Sequence, residues 1–279
     1  MKSLFKIIIL LALAELSFGY IHFQKSWEKG SAFFWAVNRG YSKYFAVEKG
    51  QSLVSSRSGF KTSLVNLKKT LDASNIKFSV LYIPVLSSNL NPDKKKFFHS
   101  TAEENQICFI DASDTLNKHP SHWIYNLPSD SHLSRLGHIL VYEATKNSLE
   151  RCGYSSTAME KTLVASIEGP HPKNVDTVDQ YNSIAYRLRT NAQGFRMTDE
   201  VRENQPTVLI LGDSFTFGTG VNTVDTFSNL LSKDIKELNI LNTGIPGTSI
   251  IEQSHYLYGV ENLSAIDGVI LQVLDNDIL

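Results

Sequence analysis

The stretch Thr207-Val208-Leu209-Ile210-Leu211-Gly212-Asp213-Ser214-Phe215-Thr216-Phe217-Gly218 decides the fold. Five apolar or β-branched residues form a short buried strand, and the chain then breaks at a glycine and turns on an aspartate and a serine. Beyond it, Phe227, Leu230, Leu231, Ile235 and Leu238 fall on one face of a helix that Asp225 or Thr226 can cap. Asn239 to Asn242 reads as a second strand and Val269 to Leu274 as a third. Strands alternating with helices predict an α/β fold: a mostly parallel sheet with helices on both faces. Ligands in such sheets bind beyond the carboxyl ends of the strands. Here those ends carry Gly212-Asp213-Ser214, then Asn242-Thr243-Gly244 with Gly247, then Asp275-Asn276-Asp277, so one sheet edge collects a hydroxyl, a glycine turn and a carboxamide.

The first half has the same character. Leu64, Leu67 and Leu71 are spaced as a helix that Asn75 stops. Lys77 to Val85 and Gln106 to Ile110 read as strands. Leu136 to Leu149 reads as a helix preceded by the turn Pro128-Ser129-Asp130. Residues 153–182, with Ser155-Ser156-Thr157 and Gly169-Pro170-His171-Pro172, read as a connector. Residues 20–60 are aromatic and poorly periodic, predicting irregular helix and loop whose rings serve core packing.

The composition is that of a globular chain: 279 residues, 42% hydrophobic and 20% charged. A formal net charge of −1 excludes nucleic acid as a main partner, because tracking phosphates takes a basic excess. Lys94-Lys95-Lys96 reads as a solvated loop. At the N-terminus, Lys2 and Lys6 precede the apolar run Ile7 to Ala14, with small residues at Ser17 and Gly19. This pattern is that of a signal peptide or short anchor over residues 1–19. It predicts an exported protein, periplasmic, in the cell envelope or secreted, and as an anchor it would hold the chain peripherally at a membrane. Cys108 sits in an apolar run and reads as a small core residue. A pairing with Cys152 stays open at this level. No cysteine spacing suits zinc.

An ester hydrolase needs a nucleophile, a base to take its proton and donors for the oxyanion. Ser214, projected from a strand-to-helix turn, is the candidate nucleophile; the plainer reading is a helix cap. Gly247 can offer a backbone N–H where a substrate must approach closely, and is otherwise a turn glycine. Asn276 can add a side-chain N–H, and is otherwise part of an Asn-Asp turn. For the base, Asp130-Ser131-His132 joins an acid and a histidine on a loop just before a helix. His138 reads as a packing or capping residue. His119 and His122 lie in a proline-containing loop without an obvious partner, where a metal role stays open.

These segments resemble the motif blocks of the SGNH/GDSL hydrolases. Val208 to Gly218 resembles the first block, Asn242-Thr243-Gly244-Ile245-Pro246-Gly247 the second, and Asn276-Asp277 the third. Asp130-Ser131-His132-Leu133-Ser134, with Gly137-His138, resembles the last. Leu188-Arg189-Thr190-Asn191-Ala192-Gln193-Gly194-Phe195-Arg196 is similar to the lead-in of bacterial members. The resemblance implies a flavodoxin-like three-layer α/β/α sandwich without a cofactor. Ser214 would be its nucleophile, His132 the general base and Asp130 the residue that orients it. The N–H groups of Ser214 and Gly247 and the side chain of Asn276 would form the oxyanion hole. Leu274 stands where the third block carries glycine, and Asp-x-His replaces the commoner Asp-x-x-His.

The blocks also run in inverted order. Residues 20–152 correspond to the C-terminal half of such a domain and 183–279 to its N-terminal half. Circular permutation of one domain accounts for this, since chain ends of domains lie close together. Pieces of two tandem domains also would. The resemblance implies a serine esterase or deacetylase acting on small-molecule or polysaccharide esters. O-acetyl transfer to a cell-envelope polysaccharide is the alternative, and a non-catalytic protein with an incomplete site a third reading.

Overall fold

The computed structural model describes residues 56–85, 92–155, 159, 167–260 and 263–278. The signal or anchor expected at 1–19, and the aromatic stretch as far as residue 55, lie outside the described residues.

Helix α1 spans Arg57–Ala73 and buries Phe60, Leu64, Leu67 and Leu71, one residue per turn along a single stripe. Ser56 caps it by accepting from the Gly59 N–H, and Asn75 leaves it at a φ of 57°. Strand β1 is Lys77–Ile83, α2 is Pro92–Glu104 and β2 is Cys108–Asp111. Two single turns follow, α3 (Ser113–Leu116) and α4 (Ser121–Ile124), and then α5 (Arg135–Leu149), capped by the Ser134 hydroxyl. Strands β3 (Asp176–Tyr181) and β4 (Ile184–Arg189) form an antiparallel hairpin. The second half continues with β5 (Thr207–Leu211), the single turn α6 (Ser214–Phe217), α7 (Phe227–Asp234), β6 (Asn239–Asn242), α8 (Ile250–Tyr258) and β7 (Gly268–Leu274).

Among the described residues the main sheet has the order β2-β1-β7-β5-β6, and every neighbouring pair is parallel. Side chains alternate across it. Phe78, Val80, Tyr82, Leu209, Leu211, Val269 and Leu271 pack with α1, α2 and α8. Leu81, Ile83, Val208, Ile210, Ile270 and Leu274 pack with α5 and α7. The expected three-layer α/β/α sandwich is therefore present. Each fully buried Leu, Ile or Phe contributes roughly 1.5–3 kcal/mol to it. Both halves of the chain enter one sheet, because β7 lies between β1 and β5. Counted from Thr207 and then back to residue 77, the strands read 2-1-3-4-5 in space, the flavodoxin-like order. That order reverses between β5 and β7, and Ser214 directly follows β5.

Several local expectations need correction. Lys94-Lys95-Lys96 is not a loop but the first turns of α2. There Lys94 donates to the carbonyls of Asp275 (2.9 Å) and Ile278 (2.8 Å), and Lys95 pairs with Asp111 at 2.6 Å. A buried stripe of Phe98, Thr101 and Ala102, with Pro92 at the first helical position, outweighs the charge run in setting the backbone. Cys108 is half-buried rather than a core residue, and it forms a disulfide with Cys152. Six of the last seven residues of the expected connector are strand β3. Helix α7 ends at Asp234, short of Leu238, which is buried in the turn leading to β6.

Candidate active site

The backbone of the nucleophile turn is fixed from three sides. Asp213 caps α6 by accepting from the Phe215 N–H at 2.9 Å. The Asn242 side chain, at the end of β6, donates through Nδ2 to the Thr216 carbonyl (2.8 Å) and the Ser228 hydroxyl (2.7 Å), while its Oδ1 accepts from the Gly244 N–H. Gln272, on β7, accepts from the Thr216 hydroxyl at 3.0 Å and the Asp213 N–H at 3.3 Å. Two of these partners, Asn242 and Gln272, come from neighbouring strands of the parallel sheet, and Asp213 belongs to the turn itself.

Behind the turn, Arg196 is wholly buried. It donates to the carbonyls of Phe217 (2.5 Å) and Val221 (2.6 Å), and its guanidinium lies 4.1 Å from the Phe217 ring centroid. Burial lowers its pKa to about 10. The neutral, buried His171 donates from Nε2 to the Gly244 carbonyl at 3.0 Å. The lead-in segment thus serves as the floor of the Ser214 turn.

The acid-base loop arrives from the other half of the chain. The Asp130 N–H donates to the Asn126 carbonyl and the Asn126 N–H to the His132 carbonyl, each at 2.9 Å, closing a tight loop. Asp130 Oδ1 accepts from the His132 N–H at 2.7 Å and also from His132 Nδ1. The opposite ring atom, Nε2, lies 2.8 Å from Ser214 Oγ. With Nδ1 donating to the carboxylate, Nε2 is the acceptor for the serine hydroxyl. Burial pushes the Asp130 carboxyl up, but the hydrogen bonds and charge of His132, with a hydrogen bond from Asn182, outweigh it and hold the group below its ordinary pKa. The His132 ring is flanked by Phe215 (5.1 Å between centroids) and, edge-on, by Tyr181 (5.4 Å).

Of the five residues expected at the site, Ser214, His132 and Asp130 form one hydrogen-bonded chain. Gly247 sits in the exposed turn after β6 with a φ of 77°, and Asn276 is exposed in the 3-10 turn Asp275–Asp277 after β7. That turn adjoins the nucleophile turn. Burial raises Asp277 to about 8, with the charge of Asp213 adding to the shift, and burial likewise raises Asp213 to about 6. His138 does pack and cap: Nδ1 accepts from the Phe227 N–H at the start of α7, and the rings stack. Burial lowers its pKa to about 3. His122 lies in α4, edge-on to Trp123. No group of three His, Cys, Asp or Glu among the described residues is placed to hold a metal ion.

Sequence reasoning missed Gln272, Asn182 and Tyr181. Gln272 left a signal, a lone polar residue inside the apolar run Val269 to Leu274. Asn182 and Tyr181 left none, because their partners are distant in sequence.

No protein-family model matches the chain. No curated protein matches it either. Among solved structures, it is similar to the O-acetyltransferase domain of Pseudomonas putida AlgJ, with a TM-score of 0.51 at 12% identity, over 77% of this chain and 81% of that one. Bacillus cereus PatB1 with a sulfonyl adduct gives a TM-score of 0.45 at 12% identity, over 81% of this chain and 90% of that one. A second PatB1 structure gives 0.42 at 13% identity, over 79% and 90%. The likeness to the AlgJ domain is one of fold: a mostly parallel five-stranded sheet with helices on both sides.

Proposed function

We propose that this chain moves an acyl group, most simply acetyl, from one ester to another hydroxyl through an acyl-enzyme on Ser214. The observation that carries the reading is the continuous hydrogen-bonded chain from Asp130 through His132 to Ser214, built from loops 82 residues apart. In this mechanism Ser214 Oγ attacks the ester carbonyl carbon while His132 Nε2 takes its proton. The oxyanion is held by the Ser214 and Gly247 N–H groups and the Asn276 amide. Collapse breaks the bond to the leaving alcohol, which receives the proton from His132. The acceptor hydroxyl then loses its proton to His132 and attacks the acyl carbonyl; the bond from the acyl carbon to Ser214 Oγ breaks, and Ser214 takes the proton back from His132. Asp130 keeps Nε2 available as the base and stabilises the imidazolium.

The AlgJ domain that shares this fold is an O-acetyltransferase. We therefore place transfer to a polysaccharide hydroxyl first and hydrolysis, with water as acceptor, second. The two differ only in what resolves the acyl-enzyme. The disulfide between Cys108 and Cys152 favours an oxidising compartment and so an exported protein. Among the described residues no helix is long and apolar enough to cross a membrane. We read the strand order as one circularly permuted domain, with residues 153–182 as its junction.

The test uses p-nitrophenyl acetate as donor, with and without an oligosaccharide acceptor. Wild type is expected to release p-nitrophenol and, with acceptor present, to form acetylated sugar, whereas Ser214→Ala does neither. Equal release by both proteins defeats the acyl-enzyme. Release that depends on Ser214 without any acetylated sugar turns the reading to hydrolysis.

A further inference from the structure

The geometry points to Asn182, at the tip of the β3–β4 hairpin, as a positioning residue that locks the Asp130 carboxylate. This rests on the reading of Ser214, His132 and Asp130 as the reacting groups. The hairpin is not part of the main sheet, and β3 pairs with β4 alone. Its turn is formed by Asn182 and Ser183, both at positive φ (43° and 69°), the mirror-image geometry that suits a two-residue hairpin. Asparagine is common in such turns for conformational reasons alone. That does not account for what its side chain does: Asn182 Nδ2 donates to Asp130 Oδ2 at 2.9 Å, across 52 residues of sequence.

The neighbouring Tyr181 is half-buried and presents its ring edge to His132. The hairpin is also seated on the segment that continues the nucleophile turn. Leu188 and Tyr186 pack with Phe217. The Arg187 N–H donates to Asn222 Oδ1 (2.8 Å), and the Arg189 N–H to the Thr223 hydroxyl (2.9 Å). Nucleophile turn, hairpin and acid loop therefore close into a ring.

Within that ring the two oxygens of Asp130 have separate partners. His132 holds Oδ1 through both its ring and its backbone N–H, and Asn182 holds Oδ2. A carboxylate held by one oxygen can rotate about χ2, and the imidazole turns with it. The second anchor stops that rotation. It also stabilises the anion most when the imidazole is neutral, so its loss makes the Asp130–His132 pair easier to protonate. The titratable groups facing the pair are Tyr181 beside Asp130, and Asp213 and His138 beside His132, and none of them is altered in the test.

Asn182→Gly keeps the positive φ and removes only the amide, while Asn182→Asp keeps the shape and sets a carboxylate against Asp130. Two quantities are measured for both and for wild type: the midpoint of the acidic limb of kcat/KM on p-nitrophenyl acetate, and the titration of the His132 ring by NMR, which needs no turnover. For Asn182→Gly with an unchanged thermal melt, kcat is expected to fall about tenfold to a hundredfold at near-constant KM, the loss of one hydrogen bond to a charged group. Both midpoints are expected to move to higher pH, and further in Asn182→Asp. If Asn182→Gly leaves both midpoints in place, Asn182 is a turn residue and the proposal is overturned. If instead the NMR midpoint moves while Ser214→Ala equals wild type in turnover, the positioning role stands and the acyl-transfer reading fails.

Discussion

Asp130 and Asp277 are both carboxylates at the carboxyl edge of the sheet, and their surroundings push them in opposite directions. Asp130 is kept ionised by His132 and Asn182 despite its burial. Changing it to Asn would present an amide N–H to His132 Nδ1 and leave Nε2 protonated, unable to accept from Ser214. Asp130→Asn is therefore expected to lower kcat on the order of 10³–10⁴-fold with little change in KM, as steady-state kinetics would show. A loss under tenfold would mean that His132 needs no orienting acid. Asp277, by contrast, is raised from 3.8 to about 8 by burial first and then by Asp213 and Asp275. Below pH 3.8 it is neutral in both folded and unfolded chains. Between there and about pH 8 only the unfolded chain ionises, so the folded state loses stability as pH rises through this window. Asp277→Asn removes that loss. Its melting temperature relative to wild type is expected to be higher at pH 8 than at pH 5, and an equal difference at both would refute the buried proton. Ser214, His132 and Asp130 were legible because each belongs to a short motif on a strand end or loop. Asn182 was not, because its role depends on a contact that only the folded hairpin creates.

At the scale of elements, the turn α6 is a junction rather than a helix: four residues clamped by the ends of β6 and β7. Gly244 packs directly on its backbone: an added Cβ there would come within 2.3 Å of the Phe217 nitrogen and 2.7 Å of the Thr216 carbonyl carbon. Both neighbours are backbone, so the nucleophile turn itself would have to move. Gly244→Ala is expected to cost about 1–3 kcal/mol in denaturant unfolding and to depress Ser214-dependent turnover as well. Full activity in that variant would show that the turn tolerates displacement. The Cys108–Cys152 bridge joins β2 to the segment just after α5, across a sequence separation of 44. Chain entropy puts the worth of a loop of that size at about 4 kcal/mol, with typical measured values of 2–4. Cys152→Ser is expected to melt several degrees lower, and an unchanged melt would indicate that packing alone holds β2 to α5. Strands β5 and β6 matched their sequence signals at both ends because apolar residues there are bounded by Gly212 and by Asn239 and Asn242. Helix α2 was misjudged from three consecutive lysines, since a charge run says nothing about the apolar stripe on the opposite face. Strand β3 was read as connector because it buries a single side chain and so lacks a strong alternation.

Over the whole molecule, the informative quantity is the order in which the chain visits the sheet. Starting at Thr207 gives β5, β6, β7, then β1 and β2, the 2-1-3-4-5 arrangement whose ligand crevice falls where the order reverses. Motif order alone left two readings open, because one permuted domain and two incomplete ones present the same blocks. In the sheet, β7 hydrogen-bonds to β1 on one side and to β5 on the other, so strands of both halves of the chain pair in one sheet. If permutation is the correct account, connectivity is incidental and strand neighbours are what matter. A reordered chain can be made from residues 167–278, a flexible Gly-Ser linker of about 15–20 residues and then residues 56–155. It would restore the unpermuted order and cut the present junction. It is expected to melt cooperatively and to react at Ser214 with a fluorophosphonate, because Asp130, His132 and Ser214 lie in segments left whole. Cooperative melting without labelling would mean that the junction helps to set the site. Absence of cooperative melting would mean that the present connection is needed for the sheet to form, and the permutation account would fall with it.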